Sequence, residues 1–225
     1  MNMASVEGRR SLRGQVQERL REAMVAGELE PGEIYSAPKL AQQFGVSPTP
    51  VREAMMELAG EGFVEPLRHR GYRVVELSES TLAEVTEVRA LLEVPAVGRV
   101  AELVGAQAER YAGTVDELRG VAETLIRTAA AGELQQFIAA DMRFHLGLLG
   151  ILDNEVLLEE VRRLRRRTRL YGLRAMAEAG TLAATAREHH ELLDQIEAGD
   201  RAAAEALMRR HLGHVRGVWA GRPED

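Results

Sequence analysis

Apolar positions change their rhythm once along this chain. At the front they recur at helical spacing: Val16, Leu20 and Met24 precede a stop at Gly27 and the turn GELEPGE. Leu40 and Phe44 then mark a short helix starting near Ser36, which breaks at Gly45-Val46. Ser47 stands as the next N-cap. Pro48 takes the first helical position, where a missing N–H costs nothing, and Pro50 is still within the first turn. Val51, Met55 and Leu58 give that helix its inward stripe, while Thr49, Arg52 and Met56 share the opposite face. Two strand-like runs follow, residues 63–67 and 72–77, around Arg68-His69-Arg70-Gly71. Gly71 supplies the backbone freedom of a tight loop. Three helices and a hairpin predict a winged helix-turn-helix over residues 1–77.

From Ser78 onward no strand pattern intervenes. Residues 77–80 read as a hinge, with Ser78 or Ser80 as N-cap. Breaks are expected at Gly113, Gly132, Leu152-Asp153-Asn154, Gly180 and Gly199-Asp200, and Pro95 predicts a kink or break inside the first long helix. The result is an all-α bundle of about six helices over residues 78–225, in a chain that is mainly α.

Composition narrows the chemistry. The 225 residues are 45% apolar and only 4% aromatic, and they include no cysteine. Disulfides and thiolate metal sites are therefore excluded, so any metal must take His and carboxylate ligands. The front of the chain has no apolar signal segment, and no run approaches the ~20 apolar residues of a membrane span. A cytoplasmic protein without a membrane partner is expected. The net charge is −6, and residues 1–77 are close to neutral, with ten Lys/Arg against eleven Asp/Glu. A nucleic-acid interface must therefore depend on locally placed cations.

The winged helix places them. A recognition helix enters the major groove with its N-terminal residues leading, which selects Ser47, Thr49 and Arg52. Arg68, His69, Arg70 and Gly71 form a wing tip suited to flanking phosphate or the minor groove. Arg9, Arg10 and Arg13 read as a solvated tail. The most basic run, VRRLRRRTRL (161–170), reads as a solvated helix face, because Leu157, Val161, Leu164, Thr168 and Tyr171 make an inward seam that leaves the arginines outside.

Histidines carry the second signal. Leu134, Ile138, Asp141, His145 and Leu148 share one helical face. Leu182, Ala186, His189, Leu193 and Ile196 repeat that spacing, as do Ala204, Met208, His211, Val215 and Val218. The last two helices form a hairpin closed at Gly199, with His189 ten residues before it and His211 twelve after. At ~1.5 Å per residue both lie about 15–18 Å from the turn, side by side. Asp141 and His145, at i and i+4, are neighbours on their own helix. One carboxylate and three imidazoles on apolar seams predict a metal site for Zn²⁺, Ni²⁺, Mn²⁺ or Fe²⁺, with zinc the first expectation.

Residues also carry a family resemblance. LAQQFGVSPTPVREAMMELAGEGFVE followed by RHRGYRV is similar to the N-terminal domain of GntR-type bacterial transcription regulators. Two usual basic contacts are replaced, by Pro38 and Pro48, so Thr49, Arg52 and the wing must bear more of the binding. DMRFH, EHHELLDQIEAGD and ALMRRHL resemble the FCD effector domain of the FadR-like branch, in which an Asp and three His bind a metal, matched here by Asp141, His145, His189 and His211. The resemblance implies a small carboxylate effector held with help from an arginine on the first helix of that domain. EVTEVRALLE makes Arg89 the candidate, against the alternative of a surface arginine paired with Glu93.

Together these readings imply a homodimer gripping a near-palindromic double-stranded operator, with repression relieved by effector as the commoner mode in the family. Two alternatives differ in kind: a helical-bundle metalloenzyme, and a winged-helix protein with a purely structural metal.

Overall fold

A computed structural model of the chain describes residues 11–25, 27–76, 78–168 and 182–214. The expectations placed on Arg9, Arg10, Leu77, Tyr171, Gly180, Val215 and Val218 lie outside these residues. The chain divides into two compact units, residues 1–76 and 77–225.

In the first unit, α1 (Leu12–Val25), α2 (Ala37–Phe44) and α3 (Pro48–Gly60) pack through Val16, Leu20, Leu40, Val51, Met55 and Leu58, each at most 4% exposed. Burying such side chains contributes about 1.5–3 kcal/mol apiece, so this small core can hold three short helices together. Ser36 caps α2 by accepting from the Lys39 N–H at 3.4 Å, and Gly45 ends it with φ 65°. Ser47 occupies the cap position of α3 with extended backbone, but its side chain makes no capping bond. Pro50, at the third helical position, removes one of the two donors that such a cap would serve.

The hairpin pairs β2 (Val64–Leu67) with β3 (Gly71–Val74) in antiparallel register, Val64 opposite Val74 and Leu67 opposite Gly71. A third strand, absent from the sequence reading, is β1 (Ile34–Tyr35), which pairs with the other edge of β3. Gly71 has φ 120°, and a Cβ there would press well inside van der Waals contact with the Tyr35 carbonyl oxygen. The glycine is therefore needed for strand approach as well as for the loop.

The second unit is helical throughout its described residues: α4 (Glu79–Ala106), α5 (Ala108–Ala131), α6 (Leu134–Gly150), α7 (Glu155–Thr168), α8 (Leu182–Glu197) and α9 (Arg201–Gly213). Ser78 caps α4, accepting from the Thr81 N–H at 3.1 Å. Two expected breaks fail. Gly113 lies within α5, and the chain turns instead at Gln107, whose φ of −136° is not helical. Pro95 does not end α4. It lies on the exposed face, as does Leu91 one turn earlier, so water can serve the carbonyl that loses its N–H partner. Gly132 and Gly199 do end their helices, in left-handed conformation. At Gly105, an added Cβ would come within 2.6 Å of the Gly199 Cα, so two small residues let α4 lie against the α8–α9 turn. The core between these helices includes Val97, Val100, Leu125, Phe137, Phe144, Leu148, Leu193, Ile196 and Met208.

Candidate metal centre and nucleic-acid interface

Helix α6 turns Asp141 and His145 inward beside Phe137, Phe144 and Leu148. Helix α8 turns His189 inward between Ala186 and Leu193, and α9 does the same for His211 beside Met208. One ligand atom from each of the four residues lies within 4.8 Å of all the others, and all four residues are buried. Asp141 Oδ1 is 3.7 Å from His145 Nε2 and 3.5 Å from His189 Nε2, and the two imidazole nitrogens stand 3.2 Å apart. The His145, His189 and His211 ring centroids are separated by 4.8 to 5.1 Å. Phe144 sets a ring edge against both His145 and His189, closing one side with apolar surface.

The chemistry of this donor set suits a divalent cation. Tetrahedral zinc with ligands at ~2.0–2.1 Å needs donor atoms about 3.3 Å apart, close to the distances above. Burial, with the Arg165 charge and the neighbouring imidazoles, holds His145 well below its usual range. Burial likewise pushes His211 down to about 3, against the opposing pull of Glu188. Neutral imidazoles offer lone pairs, and two tautomers are fixed by their partners. His189 Nδ1 donates to the Ala186 carbonyl at 3.1 Å, and His211 Nδ1 donates to Glu188 Oε2 at 2.9 Å. Both Nε2 atoms are left as acceptors on the cluster side.

Arg89 departs from the surface alternative. It is 2% exposed, donates from Nε to Glu93 Oε1 at 2.8 Å, and donates from Nη1 to Thr168 Oγ1 at 3.2 Å. Arg165 corrects the reading of the basic run, because it is completely buried rather than solvated. Its Nε and Nη2 donate to Glu93 Oε2, the former at 2.8 Å, and its Nη1 donates to Asp141 Oδ2 at 3.1 Å. Burial lowers the guanidinium to about 9, still cationic at neutral pH. Burial alone would raise Glu93, but Arg165 and Arg89 hold it below its usual value. Arg162 and Arg163 behave as expected, pairing with Glu159 and Glu160, and Arg169 lies outside the described residues.

Glu188 is a further buried carboxylate that the sequence reading missed. Burial opposes its charge, but the His211 and His214 hydrogen bonds prevail and hold it well below the carboxylate range. It adjoins His189 and follows Thr185 by three residues on a buried stripe, a spacing visible in the sequence.

In the first unit, Ser47, Thr49 and Arg52 are exposed at the front of α3, and Met56 continues that face at 54% exposure. Among the described residues no carboxylate pairs with Arg52. Arg68, His69 and Arg70 are exposed at the wing tip, where Arg68 Nε donates to His69 Nε2 at 3.2 Å and His69 adopts φ 59°. Arg13 is not a free tail residue, since it pairs with Glu57 at 3.0 Å.

A winged helix with an exposed arginine at the front of α3, followed by a helical domain with a buried polar centre, has the two-part form of a DNA-binding regulator. Comparison with known proteins fixes the family. Residues 12–74 match "Bacterial regulatory proteins, gntR family", and residues 84–214 match the FCD domain. The chain belongs to the GntR family of transcription regulators and carries an FCD domain. It is 33% identical over 205 residues to a probable D-xylose utilization operon transcriptional repressor of Paenarthrobacter nicotinovorans, covering 91% of this chain and 87% of that one. It is 29% identical to the regulator LutR of Bacillus subtilis, covering 88% and 97%. Among solved structures it is similar to E. coli McbR/YncC, with a TM-score of 0.70 and 26% identity over 92% of this chain and 95% of that one. These relatives are transcription regulators, so the metalloenzyme alternative falls. Among the described residues no helix is long and apolar enough to cross a membrane.

Proposed function

We propose that this chain is a metabolite-responsive repressor, binding a near-palindromic operator as a homodimer in the cytoplasm and sensing a small carboxylate at a metal centre in its FCD domain. The first unit reads DNA through Thr49 and Arg52, with Ser47 at the helix mouth and Arg68, His69, Arg70 and Gly71 at the wing. The second unit holds the metal through Asp141, His145, His189 and His211. Bound there, a dication supplies a Lewis-acid partner for a carboxylate oxygen. Zinc suits the donors best, with nickel, manganese and iron also compatible. The repressor sense follows the relative from P. nicotinovorans.

The observation that carries this reading is the gathering of four buried ligand atoms from three helices within 4.8 Å. Arg89 is the proposed effector anchor. Its guanidinium shares Glu93 with Arg165, so an entering carboxylate competes with Glu93 for a bidentate partner. Effector binding shifts the DNA-competent population by its differential affinity for the two domain arrangements, with the hinge near residues 77–80 as the pivot.

Screening small organic acids against the purified chain on its own promoter DNA tests the proposal. Release of DNA by one acid, lost after chelation and restored by added metal, is the expected result. A structural metal would instead leave ligand-induced thermal shifts absent.

A further inference from the structure

We propose that Glu188 is the positioning residue that orients and polarises the neutral His211 imidazole for metal binding. This inference rests on the reading of His211 as a metal ligand, and it adds a residue that the four-ligand set does not contain. Glu188 precedes His189 on α8, so the helical step of ~100° aims the two side chains differently. His189 faces the cluster, and Glu188 faces α9. Its Oε2 accepts from His211 Nδ1 at 2.9 Å, and its Oε1 accepts from His214 Nε2 at 3.0 Å and Arg210 Nε at 3.1 Å. Three donors from one turn of α9 and its cap thus converge on one carboxylate that is only 9% exposed.

The consequence for His211 is geometric and electronic. An imidazole presents either ring nitrogen by flipping about χ2, and a strong acceptor at Nδ1 removes that freedom and leaves the Nε2 lone pair toward the cluster. A negative partner also makes the imidazole a stronger donor. His189 meets the same requirement differently, because its Nδ1 donates to the neutral Ala186 carbonyl at 3.1 Å. The two histidines of the α8–α9 hairpin are therefore oriented by unlike partners. Of these two ring partners, charge removal at Glu188 changes only that of His211. Arg210 and His214 hold the carboxylate from its other oxygen, so they support Glu188 without touching His211's ring nitrogen.

The test uses the full chain, first stripped of metal, with Zn²⁺ in competition against a chromophoric chelator and with Co²⁺ for its visible ligand-field bands. Glu188→Gln keeps size and an acceptor oxygen while removing the charge, and it is expected to weaken Zn²⁺ binding by about tenfold. Glu188→Ala is expected to approach the hundredfold end of the effect of losing such a partner. Both shift the Co²⁺ bands, while His214→Ala, which spares the bond to His211, stays within about threefold of the parent. Because the carboxylate also holds Arg210 and His214, the metal-free Glu188→Gln chain is expected to melt somewhat lower, but by less than the accompanying loss of Zn²⁺ affinity. A Glu188→Gln protein that binds Zn²⁺ like the parent with an unshifted Co²⁺ spectrum overturns the inference. So does a loss of affinity matched by an equal loss of metal-free stability, which assigns Glu188 a structural role. A parent chain that takes no Zn²⁺ from the chelator sinks instead the metal reading beneath it.

Discussion

Arg165 Nη1 lies 3.1 Å from Asp141 Oδ2, joining the most basic segment of the chain to the one carboxylate of the buried cluster. The same guanidinium donates to Glu93, so one cation from α7 balances carboxylates on α4 and α6. Removing one partner from such a buried network leaves the others uncompensated. Arg165→Ala is expected to cost about 3–5 kcal/mol of stability, read as a lower denaturation midpoint. An unchanged midpoint would mean that the network is solvated in solution.

His189→Ala removes a buried nitrogen 3.2 Å from His145 Nε2. Elemental analysis of the purified variant should give clearly less metal per chain than the parent. Equal metal content in both would discard His189 as a ligand.

Arg52 is exposed on the leading face of α3, away from the Val51, Met55 and Leu58 core. Arg52→Ala, removing a base-edge contact, is expected to weaken operator binding by about 1–3 kcal/mol, roughly 5- to 150-fold. Circular dichroism and metal content should not change. Normal operator affinity in a folded variant would refute the assignment.

Wing arginines should behave differently, because phosphate contacts appear in the salt dependence. Arg68→Ala and Arg70→Ala are each expected to reduce the slope of log affinity against log salt by about 1, with similar losses on specific and non-specific DNA. Titrations at several salt concentrations would expose a wing that never reaches the backbone.

Gly71→Ala combines a strained φ of 120° with a collision at the Tyr35 carbonyl. A cost of about 1–3 kcal/mol is expected, measured by thermal melting of the full chain. A variant as stable as the parent would show that β1 gives way easily.

Much of this was legible in the sequence, for identifiable reasons. The seams bearing Asp141, His145, His189 and His211 repeat at helical spacing, and a hairpin closed at Gly199 brings two of them level. Arg165 was missed because a basic run suggests solvent, and only tertiary packing supplies Glu93 as a partner 72 residues away. Even so, Leu158, Val161, Arg165 and Thr168 lie on one buried stripe, a signal that the seam through Leu157 obscured. Gly113 misled because one exposed glycine costs a helix only about 1 kcal/mol, which the packing of α5 offsets, whereas Gln107, where the chain does turn, is not itself a breaker and Gly105 before it stays helical. The two residues of β1 are too few for any periodicity to announce them.

That short strand changes what the wing is. A lone two-stranded ribbon is marginal in water, whereas β1 clamps the free edge of β3 to the α1–α2 connection. The wing is thus a cantilever built into the body of its unit, with its arginines at the tip. Much of the ordering that a floppy ribbon would undergo on meeting DNA is completed when the protein folds, leaving less entropy to surrender at the encounter.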